Sequence, residues 1–142
     1  VVDLYAGCGA FSLPLAAAGK SIHAVEAVVA QAEAMKSAVS KRSMTIEIRD
    51  LWRQPLRVPE LDRYDSVIID PPRAGAAPQI QQLAISSVPS IVYVSCNPTT
   101  FARDALLLLN GGYKIGPVQP VDQFVWSYHI ELMAQFTRIP GK

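Results

Sequence analysis

The chain has 142 residues, half of them apolar and 18% charged, with a net charge of +1. That length supports one domain with a real core and is too short for two, and no apolar run approaches the roughly 20 residues of a membrane span. A net charge so near zero neither demands nor excludes a nucleic-acid partner, which would show as a local basic surface.

Two cysteines, Cys8 and Cys96, stand far apart and favour a reducing, cytoplasmic setting over a disulfide scaffold. With two histidines and no short spacing among them, they predict no metal site. The first residues carry no signal-peptide pattern. The chain opens directly on a strand, as expected of a fragment that lacks the N-terminal parts of a longer protein.

Short β-rich runs alternate with helical stretches, the pattern of an α/β fold. A strand over 1–6 ends in Gly7-Cys8-Gly9, and a helix follows over 10–18, closed by Gly19. Pro14 is tolerated there because the first amides of a helix have no intrahelical partner. A second strand covers 21–26, and 27–41 is rich in helix formers. Residues 44–48 alternate as a third strand that ends near Asp50. Two prolines and mixed charge make 51–63 a loop with one short turn. A fourth strand over 64–70, with Ser66-Val67-Ile68-Ile69 buried on both faces, stops at Pro71-Pro72. A helix over 78–87, a strand over 90–95 and a helix over 99–110 follow, the last stopped by Gly111-Gly112. The runs 113–121 and 129–137 have no helix between them and predict an antiparallel, hairpin-like pair. The expectation is a doubly wound α/β sheet with an antiparallel C-terminal strand pair, which resembles the plan of class I methyltransferases.

The first strand–helix turn reads Asp3-Leu4-Tyr5-Ala6-Gly7-Cys8-Gly9-Ala10-Phe11-Ser12. Glycines there let the backbone turn sharply and approach a ligand closely. A dinucleotide fingerprint, whose backbone amides take a pyrophosphate, wants a third glycine at position 12, and Ser12 stands there. S-adenosylmethionine carries no phosphate and needs only the close approach. Glu26, at the end of the second strand, is placed to accept the hydroxyls of a ribose.

Ligands of parallel sheets bind beyond the carboxyl ends of the strands, near the switch in strand order. Asp70-Pro71-Pro72-Arg73 lies there, a stiff turn offering a carboxylate and a guanidinium. Asp70 is open to two readings, ligand contact or turn initiation, and Arg73 to substrate contact or an ion pair. Cys96 follows the strand Ile91-Val92-Tyr93-Val94-Ser95 and precedes Asn97-Pro98 and a helix start; it is open to two readings, a small buried filler or a nucleophile whose thiolate the helix amides would favour. Cys8, between two glycines, is read as structural.

These segments resemble the RNA uracil-C5-methyltransferase family, whose members make 5-methyluridine in tRNA and ribosomal RNA. The resemblance rests on the glycine turn through Leu13, on Asp70-Pro71-Pro72-Arg73-Ala74-Gly75, on the stretch from Val92 through Ser95-Cys96-Asn97-Pro98 to Asp104, and on Asp122 and Phe124 followed by His129-Ile130-Glu131. It implies one S-adenosylmethionine-dependent catalytic domain over 1–142, with RNA-binding parts lying N-terminal to it. It implies Cys96 as nucleophile and Glu131 as general base. The expected cofactor-binding residues are Asp3, Tyr5, Gly7, Gly9, Glu26, Asp50 and Asp70. Those expected at the substrate are Asp70, Arg73, Asn97, Phe124 and His129. Members of the family carry Phe-Pro-x-Thr ahead of the His-x-Glu segment, and Val125 and Ser127 depart from it.

The chemistry needs these residue types. C5 of uracil is a weak nucleophile until a thiolate adds at C6, and a carboxylate must then remove the C5 proton. The target base is expected to be single-stranded or flipped out, because C5 is hidden in a stack. Phe124, Trp126 and Tyr128 are open to two readings, packing or stacking on a base, packing being the commoner for a single aromatic. No membrane and no protein partner are expected. An RNA cytosine-C5 methyltransferase would place a cysteine in the fourth-strand motif where Arg73 stands. An amino-group methyltransferase would place an aromatic there. A non-catalytic RNA- or cofactor-binding module would have no use for Cys96 and Glu131.

Overall fold

The computed structural model describes residues 1–39, 44–122, 126 and 130–141. Its first half runs β1 (Val2–Leu4), α1 (Ser12–Ala17), β2 (Ile22–Glu26), α2 (Val29–Ala38), β3 (Met44–Ile48) and a single-turn α3 (Val58–Leu61). The second half runs β4 (Ser66–Ile69), α4 (Ala77–Ile85), β5 (Ser90–Ser95), α5 (Pro98–Asn110), β6 (Tyr113–Ile115), β7 (Gln119–Val121) and β8 (Glu131–Arg138). All strands join one sheet in the order β3-β2-β1-β4-β5-β8-β6, with β7 also paired to β8.

From β3 to β5 every pairing is parallel, and the order reverses between β1 and β4. The antiparallel element predicted at the C-terminus is β8. It pairs with both parts of the run before it, as expected, and its other side lies against β5. The run predicted as one strand over 113–121 is broken at Gly116, Pro117 and Val118. Both halves still pair with β8, and the Gly116 amide donates to the Gln135 carbonyl at 2.8 Å across the break. Pro117 has no amide to give the ladder, so a break there loses little.

The two faces of the sheet are covered unequally. On one face Leu4, Val67, Ile69, Ile91, Tyr93 and Phe136 pack under Leu61 of α3, Ile80 and Leu83 of α4, and Phe101 and Leu108 of α5. On the other, Ile22, Ala24 and Met44 pack under Ala16 of α1 and Met35 of α2. That second cover serves β1 to β3. Ile68, Val92 and Met133, further along the same face, are only half-buried. The expectation that 66–69 is buried on both faces is therefore corrected: Val67 and Ile69 are buried, Ser66 and Ile68 half-buried.

Helix α5 shows how the sequence sets its own boundaries. Asn97 is the N-cap, its side-chain oxygen accepting the Thr99 amide at 3.0 Å, and Pro98 occupies the first helical position. Its buried face is Phe101, Asp104, Ala105 and Leu108, an apolar stripe with one carboxylate inside it.

Candidate active site

The parallel strands deliver their carboxyl ends to one edge of the molecule. Tyr5 and Gly7 follow β1, Glu26 closes β2, Asp50 follows β3, Asp70 follows β4 and Cys96 follows β5. Strand β8 runs the other way, so its first residue, Glu131, arrives at the same edge. Ser95 pairs with Leu132, which makes Cys96 and Glu131 the next residues in register at the end of that ladder. Opposed residues of an antiparallel pair share a face, and alternation along β8 puts Glu131 on the face of Met133 and its partner Val94. On its other side Glu131 pairs with Val121 of β7.

Cys96 is half-buried and carries no disulfide; Cys8 is exposed in the first turn. Asp70, one strand over from Cys96, has its carboxyl held above the ordinary range by burial and then by the negative charge of Glu131.

Asp3 lies in mid-strand, completely buried. Its Oδ2 accepts the Ser12 hydroxyl at 2.6 Å, whereas Oδ1 is buried without a partner. Burial pushes its carboxyl up to about 6; the Ser12 hydrogen bond opposes this, and Asp70 and Glu26 add to it. Glu26 uses both oxygens, accepting the Gly7 amide at 2.8 Å and the Val28 amide at 2.7 Å. Each of those oxygens keeps a lone pair for a further donor.

The turn between β1 and α1 depends on left-handed backbone at Tyr5, Gly7 and Gly9, with φ of +61°, +57° and +92°. A Cβ at Gly9 would lie 2.9 Å from Leu13 Cγ and Met35 Cγ, while one at Gly7 would meet nothing within 4 Å. Gly7 thus faces open space, and Gly9 is pressed against the helices. Tyr5 leans the other way, its hydroxyl buried and unpartnered, its phenol pushed up by burial and then by Asp50 and Asp104.

Three expected ligand residues have local work in the fold. Asp50 is exposed and caps its own turn, Oδ1 accepting the amides of Trp52 at 2.9 Å and Arg53 at 3.3 Å. Asn97, besides capping α5, donates from Nδ2 to the Arg73 carbonyl at 2.9 Å. Arg73 makes that contact with its backbone; its side chain is exposed. Phe124 and His129 lie outside the described residues, as do Val125, Ser127 and Tyr128. Trp126, for which packing is the commoner reading, is fully exposed.

Sequence reasoning missed a set of clamps between the Asp70 turn and α5. Asp104, buried in α5, accepts the Ala76 amide at 2.9 Å and the Tyr93 hydroxyl at 2.8 Å through Oδ2, and Arg103 Nε at 2.8 Å through Oδ1. Arg103 also donates to the Ala74 carbonyl at 3.1 Å, and Thr100 to that of Arg73 at 3.2 Å. Gly75, with φ of +77°, passes so close that a Cβ would sit 2.5 Å from the Arg103 guanidinium and 2.7 Å from Asp104 Oδ2. The turn carrying Asp70 and the helix that follows Cys96 are one hydrogen-bonded body. The signal was present in the sequence: Asp104 falls on the apolar stripe of its helix, where a carboxylate needs partners.

Comparison with known proteins bears on this site. Residues 1–138 match the family model described as tRNA (Uracil-5-)-methyltransferase. An uncharacterized RNA methyltransferase of Mesorhizobium japonicum is 48% identical over 138 residues, covering 94% of this chain and 33% of its own length. The 23S rRNA (uracil(1939)-C(5))-methyltransferase RlmD of Yersinia enterocolitica is 39% identical over 148 residues, covering 99% of this chain and 33% of its own. The crystal structure of Pyrococcus abyssi tRNA (uracil-54, C5)-methyltransferase, in complex with S-adenosyl-L-homocysteine, superposes with a TM-score of 0.82 at 31% identity, over 96% of this chain and 33% of that one. The chain thus spans about a third of the length of these relatives.

Proposed function

The chain belongs to the tRNA (uracil-5-)-methyltransferase family, and from that premise we propose that the protein methylates C5 of a uridine in RNA through a transient bond between Cys96 and the ring. The observation that carries this reading is the β5–β8 register, in which a thiol and a carboxylate come next after the paired Ser95 and Leu132.

S-adenosylmethionine, when bound, supplies a methyl group on a positively charged sulfur. The residues fit such a ligand. The glycine turn offers close approach at Gly7, where no side chain stands within 4 Å of a Cβ. The free lone pairs of Glu26 suit ribose hydroxyls. Asp3 has a buried oxygen without a partner among the described residues, and its charge, with that of Asp70, favours a cationic ligand beyond the strand ends.

Cys96 acts as its thiolate. The sulfur bonds to C6 of the uracil, and the C5=C6 π pair moves onto C5 and O4. C5 is then nucleophilic and takes the methyl group as the S–CH3 bond breaks, its electron pair staying on the sulfur of the departing S-adenosylhomocysteine. Glu131 removes the C5 proton; the electrons of that C–H bond restore C5=C6 as the C6–S bond breaks and the thiolate leaves. The attack requires the ring face to be open, so the uridine is unstacked or flipped out.

The test uses full-length protein, labelled S-adenosylmethionine and RNA containing 5-fluorouracil. Fluorine at C5 cannot leave as a proton, so the bond to Cys96 persists after methylation. The wild type is expected to form a methylated adduct that survives denaturing electrophoresis, and Cys96→Ala to form none. On ordinary RNA, Glu131→Gln is expected to accumulate the adduct that the wild type resolves. A wild type that methylates ordinary RNA yet leaves no adduct on fluorinated RNA ends the covalent reading.

A further inference from the structure

The segment joining β7 to β8 leaves from Val121 and returns at Glu131, and those two residues pair with each other. Both ends of the segment are therefore anchored at the edge that carries Cys96 and Asp70. Within it, Trp126 is 101% exposed and has a backbone φ of +66°. Both features run against its chemistry. An indole in water leaves a large apolar surface unburied. Left-handed backbone is rare for so bulky a side chain.

Resting on the reaction proposed above, we infer that Trp126 is a stacking platform for an RNA base next to the target uridine. The target itself must bring C6 within bonding reach of Cys96, which puts it at the strand ends. Extruding it takes a stacking partner away from each neighbour. The indole, five positions before Glu131, offers a flat face in replacement. Stacking tolerates any base, so the contact adds grip and holds the strand open without selecting sequence.

The test compares full-length wild type with Trp126→Phe, Trp126→Ala and Trp126→Gly. Equilibrium affinity for substrate RNA, the limiting rate of adduct formation with fluorinated RNA, and the melting temperature are measured separately. Trp126→Ala is expected to weaken RNA binding roughly tenfold, the scale of one lost base–aromatic stack, with little change in limiting rate. Trp126→Phe should recover most of that loss. Trp126→Gly should melt no lower than wild type, because glycine suits the left-handed backbone, and should still bind RNA as weakly as Trp126→Ala. An abasic nucleotide at one neighbour of the target should erase the advantage of wild type over Trp126→Ala. Unchanged affinity in Trp126→Ala overturns the inference. So does a clear fall in its melting temperature, which would mean that the indole packs against another part of the full-length protein. A wild type that binds RNA without forming an adduct overturns the covalent reading instead, and the affinity comparison still decides the stack.

Discussion

Asp104 holds the amide of Ala76 at 2.9 Å across 28 positions of sequence, and the same oxygen takes the Tyr93 hydroxyl at 2.8 Å. One buried carboxylate thereby ties α5 to β5 and to the turn that begins at Asp70. Asp104→Ala leaves buried donors without an acceptor and is expected to cost roughly 3 kcal/mol of stability or more. Tyr93→Phe removes one donor and should cost about 1 kcal/mol. Urea denaturation of the two variants measures both, and an Asp104→Ala protein as stable as wild type would show that the clamp carries no weight.

The turn after β1 should separate two kinds of glycine. Gly7 is left-handed with open space around it, whereas Gly9 is left-handed and crowded by Leu13 and Met35. Gly7→Ala bears only the backbone penalty, about 1 kcal/mol. Gly9→Ala adds overpacking and is expected to cost roughly 2–4 kcal/mol. Thermal melts rank them. Binding of S-adenosylhomocysteine, followed by calorimetry, should fall further in Gly7→Ala than its small loss of stability explains, since a methyl group there fills the ligand's side of the turn.

Asp3 makes stability depend on pH in a definite direction. Its folded carboxyl titrates at about 6, above the roughly 3.9 of an unfolded aspartate. Between those values the folded chain binds more protons than the unfolded chain, so this contribution lowers stability as pH rises from about 4 to about 6 and is constant on either side. The full effect is on the order of 3 kcal/mol. Asp3→Asn keeps an oxygen for Ser12 and removes the charge. It should be more stable than wild type at pH 7, on the order of 1–3 kcal/mol, with a flatter profile between pH 4 and 6. Denaturant midpoints of both proteins across that range decide the matter; parallel profiles would refute it.

The carboxyl of Asp70 should respond to loss of the Glu131 charge. Burial and the charge of Glu131 both raise Asp70. Glu131→Gln is expected to bring the Asp70 midpoint down toward the ordinary carboxylate range, leaving only the part due to burial. Carboxyl carbon resonances followed through a pH titration report it. A midpoint that stays put would separate the two side chains.

Much of this arrangement was readable from the order of residues. Met44–Ile48 and Ser90–Ser95 were delimited to the residue, because β-rich runs there end against turn or polar residues. One helix is read too long: 27–41 is expected where α2 spans Val29–Ala38, because good helix formers continue past the point where Val39 turns extended. The place of β8 inside the sheet was hidden, since pairing between distant strands leaves no mark on local periodicity. At the site, motif spacing identified Cys96, Glu131, Asp70 and Glu26 as residues that reach one edge. It said nothing of Asn97 and Thr100 clamping the Arg73 carbonyl, or of Ser12 holding Asp3, because such contacts depend on which way a side chain turns within an already folded loop.

Strand β8 is made after β6 and β7 yet lies between β5 and β6. A growing chain can join β1 through β5 as each emerges, but the slot beside β5 stays open until the residues from Glu131 onward arrive. Filling that slot completes the hydrogen bonding of β5 and brings Glu131 to the edge that carries Cys96 in the same motion. A chain halted before that point would present Cys96 at that edge without Glu131, so the joint presence of the two groups depends on the late insertion of one reversed strand.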